Sequence, residues 1–262
     1  NLIKLGDRMM KKIVLFLMVV SFILPFSAVY FKIGEYYTPS YAKSFFVSNN
    51  IAYVLDNYTG LMIIDISNYQ NPILLGSYNT PSHAYYSVFV SNNIAYVADY
   101  MAGLRIIDVS NPQEPSFLGS YYFWGYGLSV FVSNNIAYVA ADYGGLQIID
   151  VSNPQNPALL GFYYTPGEAL SVTVSNNIAY VTDVTGLQII DVTNPQSPVL
   201  LGFYDTPNEA LFVTVSNNIA YVTYKYSGLL IIDVSNPQNP ALLGSYDTPG
   251  WALSVFVSNN IA

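Results

Sequence analysis

Glu168 and Glu209 sit in two matching segments, YTPGEAL (residues 164–170) and DTPNEAL (residues 205–211). Two carboxylates facing each other across a channel could serve as acid and base on a glycosidic bond. They are the one loop pair with that potential, and other catalytic chemistry is poorly supplied. His83 is the only histidine and there is no cysteine. That removes His-rich metal sites, thiolate ligands and thiol nucleophiles. A lone histidine in a loop reads as a solvated side chain. No Gly-x-Ser-x-Gly elbow, phosphate loop or His-Glu-x-x-His motif occurs. Asp65, Asp108, Asp150, Asp191 and Asp233 recur at equivalent places. No EF-hand or nonapeptide calcium spacing accompanies them, so they read as turn caps. Asp56, Asp99, Asp142 and Asp183 form a second equivalent set, with Tyr224 near that place in the fifth copy, and read as hairpin caps. The sequence assigns no catalytic residue, no metal site and no cofactor.

What the chain holds in excess is aromatic surface: 25 Tyr, 14 Phe and 2 Trp in 262 residues. The candidate ligand-binding residues are Tyr85, Tyr86, Phe123, Trp124, Tyr126, Glu168, Glu209 and Trp251, with Tyr100, Tyr143 and Tyr226 nearby. Aromatic rings beside a few carboxylates suit stacking on a sugar or capture of a peptide. The competing reading is drift in weakly constrained loops, with aromatics plugging the mouth of a channel.

The elements that must carry these residues follow from an internal repeat. Ser-Asn-Asn recurs at Ser48, Ser91, Ser133, Ser175, Ser216 and Ser258, at spacings of 43, 42, 42, 41 and 42 residues. A period of this length marks stacked repeats. Each segment of the unit reads as a strand. In the third copy these are LSVFVSNN (128–135), IAYVAA (136–141), LQIIDV (146–151) and PALLGFYY (157–164). Asn-Asn suits a tight hairpin, because Asn tolerates positive φ. Gly60, Gly103, Gly145, Gly186 and Gly228 open the third strand, where a left-handed residue is cheapest as glycine. No segment carries 10–12 residues of helical periodicity, and the repeated prolines oppose helix.

Four short strands in about 42 residues predict a β-propeller blade. Inner strands covered on both faces need near-continuous apolar runs, as IAYVA and LQIIDV are. The expected fold class is all-β. It is a propeller with complete blades at approximately 43–80, 85–122, 127–164, 169–205 and 211–247, and a partial blade at 252–262. Residues 29–38 read as a fourth strand that closes the ring by completing the last blade. A partial final blade is also expected to mean a sequence that stops short of the whole ring.

Comparing the copies separates scaffold from candidate site. The first-to-second and third-to-fourth turns are nearly invariant. The second-to-third and fourth-to-first loops vary, and in a four-stranded meander these two emerge on the same face. Binding residues usually sit on loops of a rigid scaffold. The candidate residues named above all fall on that variable face.

LMIID, LRIID, LQIID and LLIID, each followed by Val or Ile, Ser or Thr, and Asn, resemble the LVIVD-repeat family of bacterial and archaeal surface proteins. The resemblance covers roughly residues 30–262. It implies an exported β-propeller and carries over no catalytic residues.

Residues 9–28 follow the order of a secretory signal: Lys11 and Lys12, an apolar stretch from Ile13 to Leu24 broken only by Ser21, then Pro25, Ser27 and Ala28. The apolar core is short for a membrane span of roughly 20 residues. Residues 1–28 are therefore expected to be upstream residues plus a cleaved signal, or a retained N-terminal anchor. They hold Lys4, Arg8, Lys11 and Lys12 against Asp7, so the body is more acidic than the net −8 of the whole chain. Phosphate backbones would repel such a body, which excludes nucleic acid as a partner. A membrane is expected to be reached only through an uncleaved N-terminal segment. The expected role is a secreted or surface binding module for carbohydrate or peptide. A structural spacer within a larger surface protein is the alternative, and a propeller hydrolase or lyase the remote one.

Overall fold

The structure is a computed structural model that describes residues 12–16, 32–81, 87–226, 228–258 and 261–262. All regular structure among them is β. A two-stranded antiparallel ribbon comes first, β1 (Lys12–Phe16) with β2 (Lys32–Tyr37). Five four-stranded antiparallel meanders follow. Blade 1 is β3 (Ala42–Ser48), β4 (Ile51–Asp56), β5 (Gly60–Asp65) and β6 (Ile73–Tyr78). Blade 2 is β7 (Ser87–Ser91), β8 (Ile94–Ala98), β9 (Leu104–Asp108) and β10 (Ser116–Tyr121). Blade 3 is β11 (Ser129–Ser133), β12 (Ile136–Ala140), β13 (Leu146–Asp150) and β14 (Ala158–Tyr163). Blade 4 is β15 (Ala169–Ser175), β16 (Ile178–Asp183), β17 (Gly186–Asp191) and β18 (Val199–Asp205). Blade 5 is β19 (Ala210–Ser216), β20 (Ile219–Tyr224), β21 (Gly228–Asp233) and β22 (Ala241–Tyr246). Residues 252–257, expected as the first strand of a partial blade, form no strand, and Ser258 makes a single bridge to Ile261. The expected signal segment outside β1, residues 1–11 and 17–28, lies outside the described residues.

The strand order follows from turn chemistry. Each described Asn-Asn pair takes positive φ at both positions, as at Asn134 (51°) and Asn135 (60°). That geometry turns the chain in two residues and matches the right-handed twist of the flanking strands. Gly145, with φ +67°, opens the third strand of blade 3. The strand-end aspartates cap the next turn as expected. Asp150 Oδ1 accepts the Ser152 N–H at 2.8 Å, and the same bond recurs from Ser67, Ser110, Thr193 and Ser235 to the preceding aspartate. These bonds hold all five carboxyls below the usual carboxylate range.

Burial separates the four strands. The second and third are buried almost throughout, while the fourth is largely exposed. The apolar clusters therefore lie between blades. Tyr53, Leu55, Leu61 and Ile63 of blade 1 pack against Val88, Val90, Ala95, Val97 and Ile107 of blade 2. Blades 2 and 3, 3 and 4, and 4 and 5 repeat this arrangement. First strands adjoin one another along the row. Val130, Val172 and Val213 N–H groups donate to Ser87, Ser129 and Ser171 Oγ of the preceding blade, at 3.2, 3.3 and 3.4 Å. Phe46, Phe89 and Phe131 form a ladder on the same strands, with ring centroids 5.0 and 5.1 Å apart.

A second recurring device fixes the spacing between blades. The third-to-fourth turn of each blade rests on a glycine in the fourth strand of the blade before it. A Cβ on Gly161 would collide with the Pro195 carbonyl oxygen, and Gly76, Gly119 and Gly202 stand likewise against Pro112, Pro154 and Pro237. Gly34 of β2 occupies the same place against Tyr69 of blade 1. Gly244 of blade 5 has nothing within 4 Å.

Candidate functional site

The variable loops are anchored from below by buried carboxylates. Asp56 Oδ1 accepts the Tyr58 and Thr59 N–H groups at 3.1 and 2.9 Å, while Oδ2 accepts the Ser40 N–H at 2.8 Å. Asp183 Oδ1 accepts Thr185 and Gly186 N–H at 2.7 and 2.9 Å, and Oδ2 accepts Gly167 N–H at 3.3 Å. These aspartates cap the second-to-third hairpin as the sequence led us to expect. They also tie down the fourth-to-first loop, which the sequence alone did not reveal. In blade 2, Asp99 Oδ2 accepts from Arg105 Nε at 3.2 Å. The fourth-to-first loops carry their own pin, a Thr-Pro step. Thr38, Thr165 and Thr248 hydroxyls donate to the carbonyl two residues on, at 2.7, 2.7 and 2.6 Å. Such local bonds rigidify a turn.

One loop departs from this plan. Between blades 2 and 3 the chain reads YYFWGYG (121–127), with no Thr-Pro step. Here two glycines interlock the blades instead. A Cβ on Gly144 would collide with the Trp124 carbonyl oxygen, and one on Gly125 (φ +101°) with that of Ala141. Trp124 is thereby held against blade 3 while its side chain stays 67% exposed. Its ring lies 6.3 Å from that of Tyr143, and Tyr126 stacks on Tyr100 at 4.1 Å. Phe123 turns inward and is buried among Ala98, Leu104, Val130 and Ala141. A cleft of about 300 Å³ opens beside Trp124, walled by Tyr122, Phe162 and Tyr164 and floored by Phe123, Gly144 and Gln147. Phe162 and Tyr164 meet edge to face at 4.9 Å. Gln147 is buried and donates its Nε2 to the Gly144 carbonyl at 2.6 Å.

The sequence-derived candidates divide into two groups. Glu168 belongs with the Trp124 group. Its hydrogen bond and charge push the Tyr143 phenol above its ordinary range. Burial, reinforced by the Glu168 charge, raises the Asp142 carboxyl. Glu209 belongs elsewhere. Lys225 Nζ bridges both its carboxylate oxygens at 2.9 and 2.8 Å. The same ammonium lies 5.4 Å from the centre of the Trp251 ring and 5.7 Å from that of Tyr226, within cation–π range. The hydrogen bond to Glu209 raises the Lys225 pKa. The two glutamates thus engage different partners: a tyrosine for Glu168, a lysine for Glu209. Tyr85 and Tyr86, with His83, lie outside the described residues. Sequence reasoning missed Tyr122, Gln147, Phe162, Tyr164 and Lys225. The available signal was the loss of Thr-Pro from one loop together with the Gly144-Gly145 pair beside it.

Stacked four-stranded meanders, joined along their first strands and packed face to face, define a propeller-type repeat protein. The LVIVD repeat matches residues 39–80, 85–122, 124–165, 166–206 and 209–248, and the chain belongs to that family. No curated protein matches the chain. Among solved structures it is similar to the computationally designed Ika8 protein, with a TM-score of 0.68 and 16% identity over 86% of this chain and 67% of that one. It is also similar to a functionally unknown protein from Desulfotomaculum acetoxidans, with a TM-score of 0.67 and 12% identity over 82% of this chain and 73% of that one. The designed Ika4 protein gives a TM-score of 0.50 and 16% identity over 58% of this chain and 92% of that one. At these identities the likeness is one of fold.

Proposed function

We propose that the chain is an exported, non-catalytic binding module that captures carbohydrate or peptide through its variable loop face. The observation that carries this reading is the one exceptional loop. Where the blade 2–3 junction gives up the Thr-Pro pin, it gains an exposed tryptophan, a walled cleft and two interlocking glycines. Exposed aromatics fixed on a rigid scaffold are the residues that dominate binding energy elsewhere. The non-catalytic part is supported by the carboxylates, whose partners are structural: turn N–H groups, a tyrosine and a lysine. Export is supported by the order of charge, apolar run and small residues in 11–28.

The test pairs fractionation with capture. The chain, expressed with residues 1–28 in a bacterial host, is expected outside the cytoplasm. The purified protein is then screened on mixed glycan and peptide arrays beside a Tyr122→Ala/Trp124→Ala/Tyr164→Ala variant. Capture by the wild type and its loss in the variant support the reading. Capture that survives all three changes sinks it.

A further inference from the structure

We infer that the cleft beside Trp124 is a pyranose site, taking one uncharged sugar ring of a glycan. This rests on the loop-face reading above and narrows it to one ligand chemistry. The first argument is charge. Every residue lining the cleft is apolar, aromatic or a neutral amide, and none is ionised at neutral pH. It offers no counter-charge to a phosphate or a sulfate. The nearby Asp142 and Glu168, which neighbour Trp124 through Tyr143, disfavour an anion further.

The second argument is shape. About 300 Å³ is at the small end of ligand pockets, room for one ring and its substituents. A polyproline peptide needs successive grooves along an extended helix of about 3.1 Å per residue, and this is a single cleft. The third argument is the alternation of surfaces. A pyranose has C–H faces and a hydroxyl rim. Trp124 and the Phe162–Tyr164 pair supply apolar faces, at 67%, 45% and 61% exposure. Gln147, anchored through Nε2 to Gly144, and the tyrosine hydroxyls supply polar groups for the rim. Because Gly125 and Gly144 already fix the Trp124 backbone, a ligand has only the side chain left to order at that residue.

One ring in a cleft of this size implies weak affinity, with a Kd of about 1 mM. The experiment is saturation-transfer NMR and titration calorimetry on the full chain. The probes are neutral gluco-, galacto-, manno- and N-acetylglucosamine oligosaccharides, an oligouronate and a proline-rich peptide. At least one neutral sugar is expected to bind and the oligouronate to bind at least tenfold more weakly. Trp124→Ala and Tyr164→Ala, each checked by circular dichroism, are expected to weaken the sugar at least tenfold. Tyr164→Phe serves as the milder variant should either truncation unfold the blade. Peptide binding lost in Trp124→Ala, with no sugar bound, overturns the sugar assignment and leaves the loop-face reading standing. Sugar binding indifferent to Trp124 overturns the site. Silence from every probe counts against both.

Discussion

Replacing Gly161 by alanine should destabilise the protein, and the same change at Gly244 should not. Both glycines occupy one place in the repeat, and neither has a left-handed φ. They differ only in what stands opposite. A Cβ at Gly161 would collide with the Pro195 carbonyl oxygen and come within 3.1 Å of Gln196 Cα, whereas Gly244 has nothing within 4 Å. The obstacle at Gly161 is backbone, not the mobile end of a side chain. The turn of blade 4 must therefore retreat, or β14 must bend. Overpacking of this kind costs about 1–3 kcal/mol. At roughly 2–4 °C per kcal/mol for a domain of this size, Gly161→Ala should lower Tm by about 4–8 °C for a cost near 2 kcal/mol. Gly244→Ala should leave Tm unchanged or raise it slightly, since alanine restricts the unfolded chain by about 0.4–1 kcal/mol. Differential scanning calorimetry of the two single variants and the wild type reads the difference directly. Equal shifts in the two variants, or no shift at Gly161, would refute the turn-on-glycine account of blade spacing.

Three further outcomes follow from the site and its supports. Burial and the Glu168 charge raise the Asp142 carboxyl above its usual 3.8. The folded chain therefore holds that proton more tightly than the unfolded one, and stability present below pH 3.8 is lost as pH rises through the raised value. Asp142→Asn should have the higher urea midpoint at neutral pH, with the gap to wild type closing in acid. Asn135, at φ 60°, should lose about 1 kcal/mol on change to alanine, which lacks the short polar side chain that lets asparagine bond locally in the left-handed region, and nothing on change to glycine, which has no Cβ to strain there; urea melts of the two variants decide it. Lys225→Met should shift the emission of Trp251 by removing the ammonium from beside its ring, while the thermal midpoint moves little, since the pair is half-open to solvent and surface ion pairs contribute about 0–1 kcal/mol.

The repeated parts of the molecule were legible because each is local. Asn134-Asn135 turns the chain by its own φ preference. Asp150 caps a turn two residues away. The alternation of apolar runs with Gly and Asn punctuation fixes four strands without reference to anything distant. The site was only half legible, because it depends on what one blade brings to the next. Trp124 could be named from its loop. Phe123, one residue earlier, could not be told apart from it, yet it is buried in the core. Phe162 lies on the fourth strand β14, which reads as scaffold, and becomes a wall only because the loop of blade 2 leans over it. Lys225 and Glu209 are 16 residues apart and meet because two loops of one blade emerge side by side. Nothing in their spacing announces an ion pair.

The interlock of Gly125 and Gly144 bears on how such a chain finds its way to this arrangement. Five blades with nearly the same strands invite confusion of neighbours during folding, since a strand could pair with the wrong repeat at little loss, a known hazard of repeat proteins. The position held by Gly144 is Thr59, Ala102, Thr185 and Ser227 in the other copies. Each of those carries a Cβ, for which position 144 has no room beside the Trp124 carbonyl. The loop of blade 2 therefore meets at blade 3 the one hairpin that carries glycine at this position. The residues that shape the cleft double as an address label, telling one repeat which of its near-twins comes next.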